Sequence, residues 1–216
     1  MICADDFGLS ADVNDSILEL CELRKITHVS VLIGNTAQQE ADRLKIYHRE
    51  IKIGLHLDLF STTPFRWHAY IEQQFREFEL RFGFFPDYVD GHMHCHVYPP
   101  ASSLLPQYLK SRHLPPDFFV RSVSLTEELI VTAGPIKRVY LRWLNFLNRG
   151  LLRHLTKVGV KSNHNLWGIF ASHTNIAQVH SLAIRNPDEN DVFFLHPGLK
   201  NSEIDRRNEY EFAKSL

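Results

Sequence analysis

Short apolar runs alternate along this chain with longer segments whose apolar residues recur every three or four positions. Residues 1–4 open the series as a brief apolar strand. Ser10 then stands at a helix N-cap position, ahead of Val13, Ile17, Leu20 and Cys21 on one face. Residues 28–33 are rich in β-formers, 36–47 read as helix, and 51–59 alternate with a period of two, as a strand does. Ile71, Phe75, Phe78 and Phe82 form a helical stripe, and residues 88–90 a short strand. Residues 104–109 read as helix despite Pro106, and 118–123 as strand. A long helix is predicted over 137–157 and a late strand over 192–195, closed by the turn signal His196-Pro197-Gly198. This βα alternation predicts a parallel sheet with helices outside it, open or closed into a barrel. No repeat, low-complexity tract or linker interrupts the chain, so residues 1–216 are expected to form one domain.

Composition narrows the class. Hydrophobic residues make up 44% and charged residues 23%, enough for a core and against disorder. The net charge of -1 argues against nucleic acid as the main partner, because phosphate binding needs a basic surface. The local exception is the 137–157 segment, with Arg138, Arg142, Arg149 and Arg153, which reads as an amphipathic helix with a solvated basic face. Cys3, Cys21 and Cys95 are odd in number and form no CxxC pair, so a disulfide framework is not expected and a reducing, cytoplasmic setting is. No apolar run reaches the length of a membrane span, and no leader is expected ahead of Asp5.

Thirteen histidines are many for 216 residues, so only clustered ones carry weight. Three of them fall in Asp90-Gly91-His92-Met93-His94-Cys95-His96, a dense set of nitrogen and oxygen ligands. In an extended chain all three would share a side; in a helical one His92 and His96 would share a face. His56 lies late in its strand on the face of Gly54 and Asp58, and Gly54 leaves space beside it for a ligand. Asp5 and Asp6 end the first strand. Adjacent strand residues point to different sides, so one acid can bind a metal while the other acts as general base. Arg121 ends another strand, where it can pair with a carboxylate, and His196 ends the last, where it can donate a proton. In parallel α/β folds the active site lies at the C-terminal ends of the strands, and five segments deliver polar side chains to that rim.

Taken in order, Ala4-Asp5-Asp6-Phe7-Gly8-Leu9-Ser10, Gly54-Leu55-His56-Leu57, Asp90-Gly91-His92-Met93-His94-Cys95-His96 and His196-Pro197-Gly198 resemble the YdjC-like carbohydrate deacetylases, which include chitooligosaccharide deacetylases and hopanoid-biosynthesis members. The resemblance implies an α/β fold, a deformed (β/α) TIM-like barrel related to the polysaccharide deacetylases. It implies one divalent metal ion held by Asp6, His56 and His92, with Asp5 as base and His196 as acid, and removal of an acetyl group from an N-acetylated sugar by metal-activated water. The family points to Mg2+, whereas two imidazoles and one carboxylate suit zinc or another transition metal. His96 is a further candidate ligand, and Arg121 a candidate to orient Asp5. Trp67 and Trp167 are candidates to stack on a sugar ring, with core packing as the alternative. Against the family pattern the first strand is short and the chain stops at Leu216, where a closing helix is usual; both ends read as clipped, and barrel closure is the feature this affects. The expected partner is a small N-acetylated sugar, with no nucleic acid and no membrane span; a homo-oligomer is compatible with the sequence. Two other readings compete: a phosphoesterase-like barrel metallohydrolase, which needs more metal ligands, and a non-catalytic sugar- or metal-binding barrel, against which Asp5, Asp6 and His196 argue.

Overall fold

The computed structural model describes residues 1–168, 176–185, 188–199 and 204–216. Its strands are β1 (Ile2–Phe7), β2 (His28–Val31), β3 (Lys52–Leu57), β4 (Tyr88–Gly91), β5 (Phe119–Val120), β6 (Lys161–Ser162), β7 (Leu166–Gly168) and β8 (Val192–Leu195). Its helices are α1 (Ala11–Glu22), α2 (Gln38–Lys45), α3 (Trp67–Phe82), α4 (Ala101–Lys110), α5 (Glu127–Ile130), α6 (Pro135–Val158), α7 (Ile176–Ala183) and α8 (Ile204–Ser215). The strands run in the order β6-β5-β4-β3-β2-β1-β8-β7, and every described pairing is parallel.

The periodic segments fold as their patterns predict. Ser10 caps α1 by accepting the Val13 amide at 3.3 Å, and Val13, Ile17, Leu20 and Cys21 are buried. In α3 the stripe Ile71, Phe75, Phe78 and Phe82 is buried, with the rings of Phe78 and Phe82 stacked at 4.5 Å. The apolar run at 118–123 is a strand only over Phe119–Val120, with the Arg121 amide still donating to the Val89 carbonyl of β4 at 2.9 Å. Beyond it, the backbone amides of Ser122 and Val123 bond the side chains of Asn163 (2.6 Å) and Asn148 (2.9 Å) instead of a neighbouring strand.

The sheet curls into a deformed barrel with a seam. β6 and β7 lie at opposite ends of the strand order, yet only three residues separate them in sequence, so the two edges must adjoin. Among the described residues no ladder joins them. Isolated side-chain and backbone bonds lie along the seam instead: Asn163 accepts from the Ser122 amide and donates to the carbonyls of Ser122 (3.2 Å) and Asn165 (3.0 Å), while the Leu166 amide donates to the Ser124 carbonyl (2.8 Å). The last described element is helix α8, which packs against α1, α7 and β8.

Inside the curl, the space predicted beside Gly54 is filled. A Cβ there would meet the Tyr88 ring at 2.4 Å, and the Tyr88 hydroxyl bonds Ser30 Oγ at 2.9 Å. Glycine is needed at position 54 so that Tyr88 can cross the interior. A cavity of about 500 Å³ opens at the other end of the barrel, lined among others by Met1, His28, Lys52, Phe119 and Lys161. It sits at the N-terminal ends of the strands, away from the clustered acids and histidines. Burial pulls buried His28 down from 6.5 to about 3, helped by the terminal ammonium, Lys52 and Arg121 and opposed by Asp90. Unfolded, His28 titrates near 6.5, so below that value the unfolded chain takes up a proton that the folded chain refuses. Its contribution is intact above 6.5 and is lost as the pH falls, by about 2 kcal/mol at roughly pH 5. His28→Gln is therefore expected to flatten the fall in urea-unfolding stability between about pH 7 and 5; an unchanged slope would refute this.

Candidate active site

The two acids of β1 reach the rim through an irregularity. The β1–β2 register shifts between Ala4 and Phe7, and Asp6 takes a left-handed φ of 72°. A regular strand would send adjacent side chains to opposite faces. Here both acids turn toward the same end of the barrel and both are buried, Asp5 against Arg121 and Asp6 against His56 and His92. A non-glycine residue in this conformation is strained, and such strain gathers at functional sites.

Asp6 is the centre of the first group. Its Oδ1 lies 2.9 Å from His92 Nδ1 and 3.3 Å from His56 Nε2, and the three ligand atoms lie within 4.8 Å of one another. His56 comes from β3 and His92 from the turn after β4, which the register brings alongside. The far nitrogen of His56, Nδ1, meets Asp90 Oδ1 at 2.5 Å, which fixes the ring and turns Nε2 toward Asp6. Burial pulls His56 down, but Asp90, Asp6 and Asp5 outweigh it and raise the ring to about 10. Two imidazole nitrogens and a carboxylate oxygen this close together, with one ring held from behind by a second carboxylate, form a candidate donor set for a divalent ion. The residues fit such an ion.

Arg121 is the centre of the second group. Fully buried at the end of β5, it donates from Nη1 to Asp5 Oδ1 (2.7 Å) and from Nη2 to Asp5 Oδ2 (2.6 Å). Nη2 also lies 2.9 Å from Asp90 Oδ2, which accepts from Ser30 Oγ at 2.6 Å. Asp90 therefore joins the two groups, touching a candidate metal ligand with one oxygen and the clamp of Asp5 with the other. Burial pushes the Asp5 carboxyl upward, but the Arg121 guanidinium, with His56 and His196, outweighs it and holds Asp5 below the usual carboxylate range. Cys3, Asp5 and Asp90 also share metal-like spacing. The cation among them is the guanidinium itself, which reaches Cys3 Sγ at 3.3 Å.

Helix α8 supplies two residues that the sequence pattern did not mark. Arg206 Nη2 donates to Asp6 Oδ2 at 2.6 Å, from 200 residues away. Glu209, buried, accepts the His196 amide at 2.7 Å and lies 3.7 Å from His196 Nδ1. Burial lowers His196, but Glu209 and the charges of Asp6 and Asp5 reverse this and raise it above its ordinary value. The signal for both was the run Arg206-Arg207-Asn208-Glu209, whose spacing puts Arg206 and Glu209 on one helix face.

The histidine cluster disperses. Met93 (φ 49°) and His94 (φ 58°) are left-handed, so the turn is neither the extended nor the helical form predicted. His92 reaches Asp6, whereas His96 turns to the Arg121 carbonyl at 2.8 Å, apart from the Asp6 group. His94 lies edge-on to Phe194. Trp67 and Trp167 are 4% and 5% exposed, and their indole N–H groups donate inward, to the Leu59 carbonyl and to Asp191 (both 2.9 Å). Neither offers a face to a sugar. Half-buried Tyr98, just after the turn, lies between exposed Phe60 and exposed Trp143, at 6.0 and 5.3 Å between centroids.

The sequence profile of the family described as YdjC-like protein matches residues 1–69 and 67–215. A chitooligosaccharide deacetylase of Serratia marcescens is 24% identical over 144 residues, 53% of this chain and 57% of that one. A carbohydrate deacetylase of Halalkalibacterium halodurans is 25% identical over 150 residues, covering 53% and 61%. The chain thus spans less than two thirds of the length of these curated relatives. Among solved structures, a candidate cellobiose-phosphate cleavage protein of Enterococcus faecalis superposes with a TM-score of 0.69 over 100% of this chain and 90% of that one, at 16% identity. At that identity the likeness is one of fold.

Proposed function

Because this chain belongs to the YdjC-like protein family, we propose that it is a metal-dependent hydrolase that removes the acetyl group from an N-acetylated sugar. The observation that carries the reading is the placing of opposite proton states around one donor set. Arg121 lowers the carboxyl of Asp5 and so favours its ionised form, while Glu209 raises His196 and so favours its protonated form, and the charges of Asp5 and Asp6 act on His196 as well. Amide hydrolysis needs a base and an acid in those states at the same pH.

Asp6, His56 and His92 would hold a divalent ion. Once bound, the ion supplies a water of lowered pKa and a positive contact for the acetamide oxygen. Asp5 takes the proton of the attacking water. Its Oδ1 already accepts from Arg121 and Cys3, whereas among the described residues Oδ2 accepts from Arg121 alone, so Oδ2 has the open lone pair. A carboxylate this acidic is a weak base, matched to a water already acidified, which is why the base and the donor set belong together. His196 faces Glu209 with Nδ1, leaving Nε2 to protonate the departing amine. Acetate and a free amino sugar result. Two imidazoles favour a transition ion over magnesium, and metal analysis of protein purified without chelator decides between them.

Acetate release from N-acetylglucosamine oligomers tests the reading. Stripping with chelator is expected to abolish release and one equivalent of divalent ion to restore it. Cleavage of a phosphate ester in place of the acetamide, or a requirement for two or three ions, would support the phosphoesterase reading instead.

A further inference from the structure

Helix α6 carries a face that neither the barrel nor the proposed chemistry uses. Its buried side carries Leu141, Leu144, Leu151 and Leu155; the helix packs on α4, on the turn after β4 and on β6, and His154 donates to the Ser102 carbonyl of α4 at 2.9 Å. On the other side Ile136, Val139, Trp143 and Phe146 recur at spacings of three and four, one stripe of an α-helix. They are 86%, 69%, 45% and 64% exposed. One exposed apolar side chain is ordinary; four in a row on one face make a patch that marks an interaction surface.

Charge identifies the kind of surface. Between Pro135 and Val158 the helix holds Lys137, Arg138, Arg142, Arg149, Arg153 and Lys157 and no Asp or Glu, in a chain whose net charge is -1. Arg138 is taken up by the Ala133 and Val131 carbonyls, and Arg142 pairs with Glu127. Among the described residues, no ion pair engages Arg149, Arg153 or Lys157. At roughly 100° per residue, Arg142, Arg149 and Arg153 fall in one row beside the apolar stripe, and Lys157 continues the stripe itself. Aromatic and aliphatic groups flanked by cations suit the boundary between anionic headgroups and acyl chains. A second copy of the same helix would bring six cations against six.

We propose that α6 seats this protein on an anionic lipid surface, with Ile136, Val139, Trp143 and Phe146 entering the headgroup region and Arg149, Arg153 and Lys157 over the anions. The seat adjoins the rim of the candidate active site, because Trp143 packs on Tyr98, which directly follows the turn carrying His92. Binding of this kind is independent of acetyl hydrolysis and is measured without metal or substrate.

The other two tryptophans are buried, so Trp143 reports on the seat by fluorescence. The full chain is expected to co-sediment with phosphatidylcholine vesicles containing phosphatidylglycerol and not with phosphatidylcholine alone. The emission should shift to the blue on binding, and salt should release the protein. Arg149→Gln with Arg153→Gln should cut the partition coefficient about thirtyfold. Val139→Ser with Phe146→Ser should cut it at least as far, with thermal unfolding unchanged because these side chains are exposed. No binding to anionic vesicles at low salt, or binding that both double variants retain, overturns the proposal. So does equal binding to soluble polyglutamate, which would make an acidic polypeptide the occupant, or a dimer that Phe146→Ser dissociates, which would make it a second copy.

Discussion

Asp5→Asn is expected to lower acetate release by roughly 10²–10⁴-fold while leaving the divalent ion bound. The amide keeps the volume of the carboxylate and can still accept one bond from Arg121, but it cannot take up a proton at Oδ2. Arg121 keeps Asp90 as a partner at 2.9 Å, so its charge is not stranded by the change. Asp6, His56 and His92 do not depend on Asp5 for their mutual geometry, since the contacts that orient them come from Asp6 itself and from Asp90. Two measurements therefore separate the roles: turnover with saturating metal, and metal stoichiometry by titration calorimetry. Loss of turnover with one ion still bound supports Asp5 as the base. Full turnover with metal retained would remove it from the chemistry, and loss of the ion together with turnover would make it part of the ligand set.

Much of the fold and of this site was legible in the sequence, and what was not has physical reasons. Strands and helices long enough to show a period were readable, as with α1, α3 and β3; β6 and β7, at two and three residues, are too short to show one. Asp5, Asp6, His56, Arg121 and His196 stood out because each is a polar residue at the end of an apolar run. Their partners did not. Glu209 and Arg206 lie on a helix whose pattern reads as an ordinary solvated face, and only the tertiary fold brings them to His196 and Asp6. Asp90 was visible as a flank of the histidines, but its task, holding His56 from behind and Arg121 from the side, depends on β3 and β5 both pairing with β4. A left-handed conformation is uncommon for any residue other than glycine, and no local rule places two in succession at Met93 and His94, so nothing in the sequence foretells that His92 and His96 part company. The same holds for Asp6, whose conformation lets two adjacent acids serve one rim.

Arg121→Met is expected to destabilise the fold by about 3–5 kcal/mol, a large share of the roughly 5–15 kcal/mol that holds a domain of ordinary stability. The side chain is among the largest that are fully buried, and it is the one cation shared by Asp5 and Asp90 among the described contacts. Methionine fills much of the volume and preserves packing on the Phe194 ring, which the guanidinium carbon faces at 5.6 Å. It supplies no charge, so two buried carboxylates lose their common partner and must be neutralised or hydrated. Arg121→Lys keeps the charge without the fork that meets both oxygens of Asp5, and should fall between wild type and Arg121→Met. Adding Asp5→Asn to Arg121→Met removes one of the stranded acids, so the double variant should be more stable than the sum of the single losses, by roughly 0.5–3 kcal/mol. Urea midpoints at unchanged slope measure all three. An Arg121→Met protein within about 1 kcal/mol of wild type would mean that Asp5 and Asp90 do not depend on the guanidinium. The ionised state that makes Asp5 a base would then need another source.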